Sequence, residues 1–291
     1  MRRRDFLLTA LAAVAAPSNA APERFGKGLL WRITKDGVPA SHVYGTIHVV
    51  DARLDVLPPP VEEAFRRATS LMLEFVPDPY SRERFLEAAM FLDRQTLEEK
   101  IGADDFERAL EQLRPIGLSR EFVNKLKPWG VLLNLRATSG AVGAPLEARL
   151  ADRARGRRLP VFQIEGVEEQ VFTFDEMPMD AQVALLKHSL AHRDELLRLG
   201  ESTLEAYLAG DLQAIWRLRE DFSARYPEVA THQAALTKRV LFDRSVVMAF
   251  RMQRELRRGN AFVALGALHL YGGKGVLALL EQDGYRARRV Y

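Results

Sequence analysis

With 291 residues, 47% of them hydrophobic and 28% charged, the chain can bury a full globular core, and this composition argues against a disordered polypeptide. Cysteine is absent, which excludes disulfides, thiolate metal sites and a cysteine nucleophile, so any metal must be held by nitrogen and oxygen. The formal net charge of +3 falls to +1 over residues 21–291, because the first twenty residues hold three arginines and one aspartate, and this balance gives no case for a nucleic-acid partner.

The basic excess is explained by the N-terminus. Arg2-Arg3-Arg4-Asp5-Phe6-Leu7 opens a short apolar run through Ala16, and Ser18-Asn19-Ala20 follows with small residues at both specificity positions. This reads as a cleavable signal peptide over residues 1–20, too short to serve as a membrane anchor. The Arg3-Arg4-x-Phe6-Leu7 arrangement fits a twin-arginine signal, which exports proteins already folded, with an ordinary Sec signal with a basic start as the alternative. No later apolar stretch approaches the roughly 20 residues a membrane helix needs. The expectation is a protein of the periplasm or the extracellular space, without stable membrane insertion once the signal is removed.

The elements then follow in chain order. Gly28 to Thr34 and His42 to His48 read as two strands joined through Lys35-Asp36-Gly37-Val38-Pro39, where Asp-Gly is a strong hairpin signal. Pro58-Pro59-Pro60 sets the start of a helix running to about Ala68. Leu71 to Val76 reads as a third strand with Glu74 inside it. From about Pro79 to Thr138 the apolar spacing is helical, broken at Gly102, Pro115-Ile116-Gly117 and Pro128. A small-residue loop over Gly140 to Pro145 leads to a basic helix from Leu146 to Arg157, and Leu159 to Gly166 reads as a strand ending in Glu165. Helical spacing returns in Pro178 to Leu199, Leu204 to Leu208, Leu212 to Arg225 and Ala234 to Arg258. The chain closes with a strand from Ala261, a glycine-bounded helix near Val276 to Leu280, and a last strand over Tyr285 to Tyr291.

Strands therefore cluster at the two ends and helices fill the middle. This predicts one α/β domain over residues 21–291, with a central mixed sheet built from the N- and C-terminal strands. A large helical insertion, about 79–258, is interrupted by a strand near 160–165. Such a fold places its ligand outside the carboxyl ends of the strands.

Two elements carry candidate chemistry because they repeat one device. Gly45-Thr46-Ile47-His48 and Gly266-Ala267-Leu268-His269 each follow a predicted strand. Loop glycines Gly45 and Gly266 let the chain turn closely at a ligand, and His48 and His269 then face the crevice at the strand ends. Glu74 lies in an apolar run where an ionised carboxylate is costly unless paired, hydrogen-bonded or bound to a metal; the plainer alternative is the last outward position of a half-buried strand. Glu165 has the same context, with a solvated turn near Glu168 and Glu169 as its alternative. Two neutral imidazoles with one or two carboxylates suit a divalent metal such as zinc, manganese, cobalt or iron. His188 and His192 share a helical face at a metal-compatible spacing, yet Ser189 stands where the His-Glu-x-x-His signature needs glutamate. No Gly-x-Ser-x-Gly nucleophile elbow occurs.

This combination resembles the TraB/GumN family, which is related to the Tiki metalloproteases and more distantly to ChaN-like haem-binding and erythromycin esterase-like proteins. The residues that carry the resemblance are Gly45-Thr46-Ile47-His48, the Glu74 strand, Leu159-Pro160-Val161 through Glu165-Gly166 with Glu169-Gln170, Arg244 with Met248, and Ala264 through Gly272. It implies an exported metal-dependent hydrolase with peptides as one substrate class. His48, His269 and Glu74 would be its metal ligands, Glu74 a ligand or general base, and Glu165 and Arg244 its supporting catalytic residues. Without the resemblance, Arg244 reads as a surface or ion-paired arginine; with it, Arg244 orients a site carboxylate or binds an anionic transition state. The chain departs from the family pattern at Gly143-Ala144-Pro145, where relatives tend to have Gly-x-Asp, with Glu147 as a substitute, and at Ser245, where an asparagine often follows the arginine. The competing expectation is a non-catalytic periplasmic protein that binds haem or another ligand in the same crevice. Folding must then bring His269 beside His48 at one edge of the sheet, with Glu74 between or below them.

Overall fold

The computed structural model describes residues 23–76, 78–137 and 144–291. The signal-peptide reading of residues 1–20 and most of the small-residue loop before Pro145 lie outside the described residues.

The architecture is mixed α/β around one six-stranded sheet. Its strands are β1 (Leu30–Lys35), β2 (Val38–Thr46), β3 (Ser70–Leu73), β4 (Val161–Gln163), β5 (Ala261–Gly266) and β6 (Arg286–Arg289). They lie in the order β4-β3-β5-β2-β1-β6. β4, β3, β5 and β2 run parallel, whereas β1 pairs antiparallel with both β2 and β6. The hairpin expected at Asp36-Gly37 forms, with Lys35 opposite Val38 and Gly37 at φ 75°, a left-handed conformation that costs glycine little.

Burial follows the strand's place in the sheet. β5 sits between β3 and β2, and Ala261 to Leu265 are all buried, the continuous apolar run that a strand covered on both faces requires. β1 begins with an exposed Arg32 between buried Trp31 and Ile33, the alternation of a strand with one wet face. β6, Arg-Ala-Arg-Arg, is the exposed edge, and its charge discourages pairing with another chain.

Helices pack two cores. The first surrounds the sheet and draws on helices Pro59–Arg67, Leu146–Gly156, Arg244–Leu256 and Val276–Gln282, with Phe262, Phe65 and Tyr44 among its buried aromatics. Phe262 is fully buried and meets Phe65 edge-on with ring centres 5.4 Å apart. Burying a side chain of that size stabilises by roughly 1.5–3 kcal/mol. The second core is helical and lies mainly in residues 88–190, around Trp129, Phe106 and Leu186. Trp129 Nε1 donates to Asp175 Oδ1 at 2.9 Å, so its one polar atom is satisfied.

Several boundaries differ from the expectations. β3 ends at Leu73 and β4 at Gln163, so Glu74 and Glu165 stand just past their strands, although the Glu165 N–H still donates to the Glu74 carbonyl at 2.9 Å. The predicted break between Leu199 and Leu204 is absent, because helix Arg193–Leu208 runs through Gly200, and the break falls at His192 instead. The long helix expected from Ala234 is three pieces: Pro227–Thr237, a π-helical turn Lys238–Asp243, and Arg244–Leu256. Among the described residues no helix is long and apolar enough to cross a membrane.

Candidate functional site

Register builds the site. Thr46 at the end of β2 pairs with Gly266 at the end of β5, and Leu73 at the end of β3 is opposite both Ala264 and Gln163. Four parallel strands thus finish at one edge, and the segments carrying His48, Glu74, Glu165 and His269 emerge there side by side. This is the edge at which parallel sheets hold ligands.

The structure brings together all five side chains singled out in the sequence. Glu74 is their centre and is 5% exposed, which rules out the outward-facing alternative. Its Oε1 accepts a short hydrogen bond from the Gly266 N–H and lies 3.7 Å from His269 Nε2. Its Oε2 accepts from Arg244 Nη2 at 2.9 Å and lies 3.8 Å from His48 Nε2. A methyl group placed on Gly266 would stand 3.1 Å from Glu74 Oε1, 3.4 Å from His48 Nε2 and 3.5 Å from His269 Cδ2. The two rings therefore face one another across the width of a single small side chain, with the carboxylate beside them.

Arg244 joins the two carboxylates. Its Nη2 donates to Glu165 Oε2 at 2.6 Å and its Nε to Glu165 Oε1 at 3.0 Å, while the same Nη2 serves Glu74. Its side chain is 13% exposed and that of Glu165 is 2% exposed, so the surface reading of either residue does not hold. Gln170 Nε2 adds a hydrogen bond to Glu165 Oε2 at 2.8 Å. Charge-assisted pairs of this kind are strong where water is excluded.

Each histidine is oriented through its other nitrogen. Ser245 Oγ lies 2.9 Å from His269 Nδ1, and Glu147 Oε1 lies 2.9 Å from His48 Nδ1. The Glu147 contact is poorly aligned for a hydrogen bond and neither carboxylate oxygen has another partner among the described residues. The short distance still matters, because charge attraction depends weakly on angle. Ser245 is one position at which the sequence departs from the family pattern, and Glu147 is the residue expected to substitute for the aspartate missing at Pro145. Both prove to hold a ring in place, Glu147 from the first turn of its helix and Ser245 from the turn that follows Arg244. Thr46 Oγ1, which sequence reasoning passed over, is buried at the same edge without a hydrogen-bond partner among the described residues.

Gly45 has a different part. A Cβ there would lie 2.9 Å from Leu270 Cδ1 and 3.0 Å from Ala267 Cα, so Gly45 lets β2 pack against the 3-10 turn Ala267–Leu270 that carries His269. Tyr207 Oη donates to the Gly45 carbonyl at 2.9 Å and ties helix Arg193–Leu208 to the end of β2.

The electrostatics separate the two imidazoles. Burial dominates at His269, 3% exposed, and with the charge of Arg244 it lowers the pKa to about 4 despite Glu74. His269 is therefore neutral at pH 7. At His48 desolvation by the neighbouring protein atoms also pulls downward, but contact with Glu147 and the charges of Glu147 and Glu74 prevail and raise the pKa to about 9. The His48 side chain is 59% exposed, so the site opens to solvent on this side. Burial raises the Glu74 pKa, yet the surrounding cations and the Gly266 N–H outweigh it and hold the group well below the usual carboxylate range. That pull comes first from His269, which is charged at the low pH where Glu74 titrates, and then from His48, Arg244 and the backbone donor. Burial sets Glu165 the other way, above its ordinary value, although Arg244 opposes the shift.

The donor chemistry fits a divalent cation. Both Nε2 atoms face a buried carboxylate, both Nδ1 atoms are engaged behind them, and the Glu147 oxygens are short of partners; such outer contacts are what fix metal-binding imidazoles. Among the described residues, however, no three His, Asp or Glu side chains form a ready ligand cage, and Arg244 holds the Glu74 oxygen that a cation would share. The His188 and His192 rings lie 4.6 Å apart and pack on Tyr226, away from this edge.

The fold and the site together define an α/β protein with a histidine and glutamate cluster at the carboxyl edge of its parallel strands. The chain belongs to the TraB/PrgY/gumN family, whose family model matches residues 29–289. It is 26% identical over 250 residues to the uncharacterized protein YbaP of Shigella flexneri, across 82% of this chain and 87% of that protein. YbaP of Escherichia coli strain K12 matches with the same identity and coverage. No solved structure matches significantly.

Proposed function

We propose that this protein is an exported metal-dependent hydrolase, with peptides as the first substrate class to test, and that His48, His269 and Glu74 hold a divalent cation. The observation that carries the reading is the pair of imidazoles whose Nε2 atoms lie 3.8 and 3.7 Å from the two oxygens of one buried carboxylate. When bound, such a cation lowers the pKa of a coordinated water and supplies hydroxide near neutral pH. The chain's own residues do the rest. Ser245 and Glu147 orient the two rings, Glu74 stays anionic, and Glu165 shares Arg244 with it. The Arg244 guanidinium, which pairs with Glu74 and Glu165, would be the group to stabilise an oxyanion.

One observation favours the second reading, a non-catalytic protein that binds haem or another ligand in the same crevice. Arg244 pairs with both Glu74 and Glu165 and holds the Glu74 oxygen that a cation would need. Metal analysis of tag-free protein beside the double variant His48→Ala, His269→Ala separates the two. The hydrolase reading expects near-stoichiometric zinc, manganese, cobalt or iron in the wild type and at least about a tenfold loss of affinity in the variant. Equal metal content in both proteins, or none in either after reconstitution, sinks it. A Soret band on adding haem, lost in the variant, favours the second reading.

A further inference from the structure

The opposite end of the sheet holds a second concave surface that the histidine cluster does not use. A cavity of about 630 Å³ is lined by Arg32, His42, Arg67, Asn260, Arg288 and Arg289, with small apolar residues between them and no acidic residue. It lies at the start of the parallel strands: Asn260 immediately precedes β5, and His42 pairs with Phe262 near the beginning of that strand. The histidine cluster lies past the other end.

The register makes this an expensive arrangement. Arg32 is directly opposite Arg288 on β6 and directly opposite His42 on β2, so three basic side chains form a row across one face of the sheet. Like charges directly opposite on an antiparallel pair are destabilising. Arg32, Arg288 and Arg289 have no carboxylate partner among the described residues. Arg67, at the end of helix Pro59–Arg67, closes the cavity and shares Glu63 with Arg66. His42 records the resulting positive potential: burial first, and then Arg32 and Arg67, lower its pKa. A charged edge strand alone would protect the sheet from pairing, but it does not need a concavity, nor a row that continues inward to β2.

We propose that this cavity binds a small phosphate-bearing ligand with two or more negative charges. Guanidinium forks match phosphate oxygens in pairs, the volume is that of a small-molecule pocket, and an anion between Arg32 and Arg288 removes the repulsion of their directly opposed charges. A soluble phosphoester and the headgroup of an anionic lipid share this chemistry.

The test is titration of the full chain with pyrophosphate, with citrate as a charge-matched control, and with vesicles of phosphatidylcholine alone or mixed with phosphatidylglycerol. The His42 imidazole resonances are followed at each step. Pyrophosphate should bind at least about tenfold more tightly than citrate and raise the His42 pKa. Binding to phosphatidylglycerol vesicles with none to pyrophosphate assigns the ligand to the lipid headgroup. Arg288→Glu sets a carboxylate opposite Arg32, so it should abolish binding while the melting temperature holds or rises, which separates lost binding from lost fold. Arg32→Gln with Arg288→Gln should also abolish it. The proposal is overturned if neither pyrophosphate nor anionic vesicles bind, if citrate binds as well as pyrophosphate, or if Arg288→Glu binds like the wild type, leaving β6 with an edge-protecting role only.

Discussion

His269 is a buried imidazole at the centre of the cluster, and its titration provides a direct check on the site. Its pKa in the folded chain, about 4, lies below the unfolded value of about 6.5. Below pH 6.5 the unfolded chain therefore takes up a proton that the folded chain refuses, and stability falls as the pH drops from about 6.5 to about 4 before levelling off. At roughly 1.4 kcal/mol per unit, metal-free protein should lose about 3 kcal/mol through this group. Urea unfolding at several pH values, wild type beside His269→Asn, isolates the contribution, and a wild-type minus variant difference that stays flat across this range rules out a buried neutral imidazole. Ser245 belongs to the same account. Sequence alone marked it as a departure from the family pattern, because a serine's value as a ring-orienting partner depends on which atom faces it.

At the scale of the element, the decisive features are short and carry little sequence signal. The paired Gly-x-x-His segments and the apolar β5 were legible, since their patterns arise from local chemistry and burial. The π-helical turn Lys238–Asp243 was not. It lies within a continuous helical periodicity, and it sets the phase at which Arg244 and Ser245 meet the sheet edge; π turns of this kind are frequent at functional sites. Gly266 offers the cleanest element-level test. Its φ of −51° and ψ of 130° suit any residue, so Gly266→Ala adds a methyl group without backbone strain. That methyl would stand between Glu74, His48 and His269. Gly266→Ala should fold, with a cost of about 1–3 kcal/mol from overpacking, and should lose metal binding. Unchanged metal stoichiometry and affinity in this variant place the cation elsewhere.

Across the whole molecule the two cores divide the work. The sheet core holds the strand ends in register, and the helical core around Trp129 and Phe106 contains none of the site side chains. Phe106 is fully buried, and Phe106→Ala should cost about 3–5 kcal/mol while metal stoichiometry at low temperature stays at the wild-type level. Urea unfolding and metal analysis of the same preparation check both halves of the expectation; site loss in step with stability would make the cores one cooperative unit. The sequence by itself determined the α/β class, the strand-rich ends around a helical middle, and the residue types of the site, because hydrophobic period, turn chemistry and repeated motifs are local properties. Only the tertiary structure decided which atom of each side chain meets which. Partners such as Arg244 and Glu74, or Arg32 and Arg288, are far apart in the chain, and helix packing in the first case and strand register in the second fix their distance and burial.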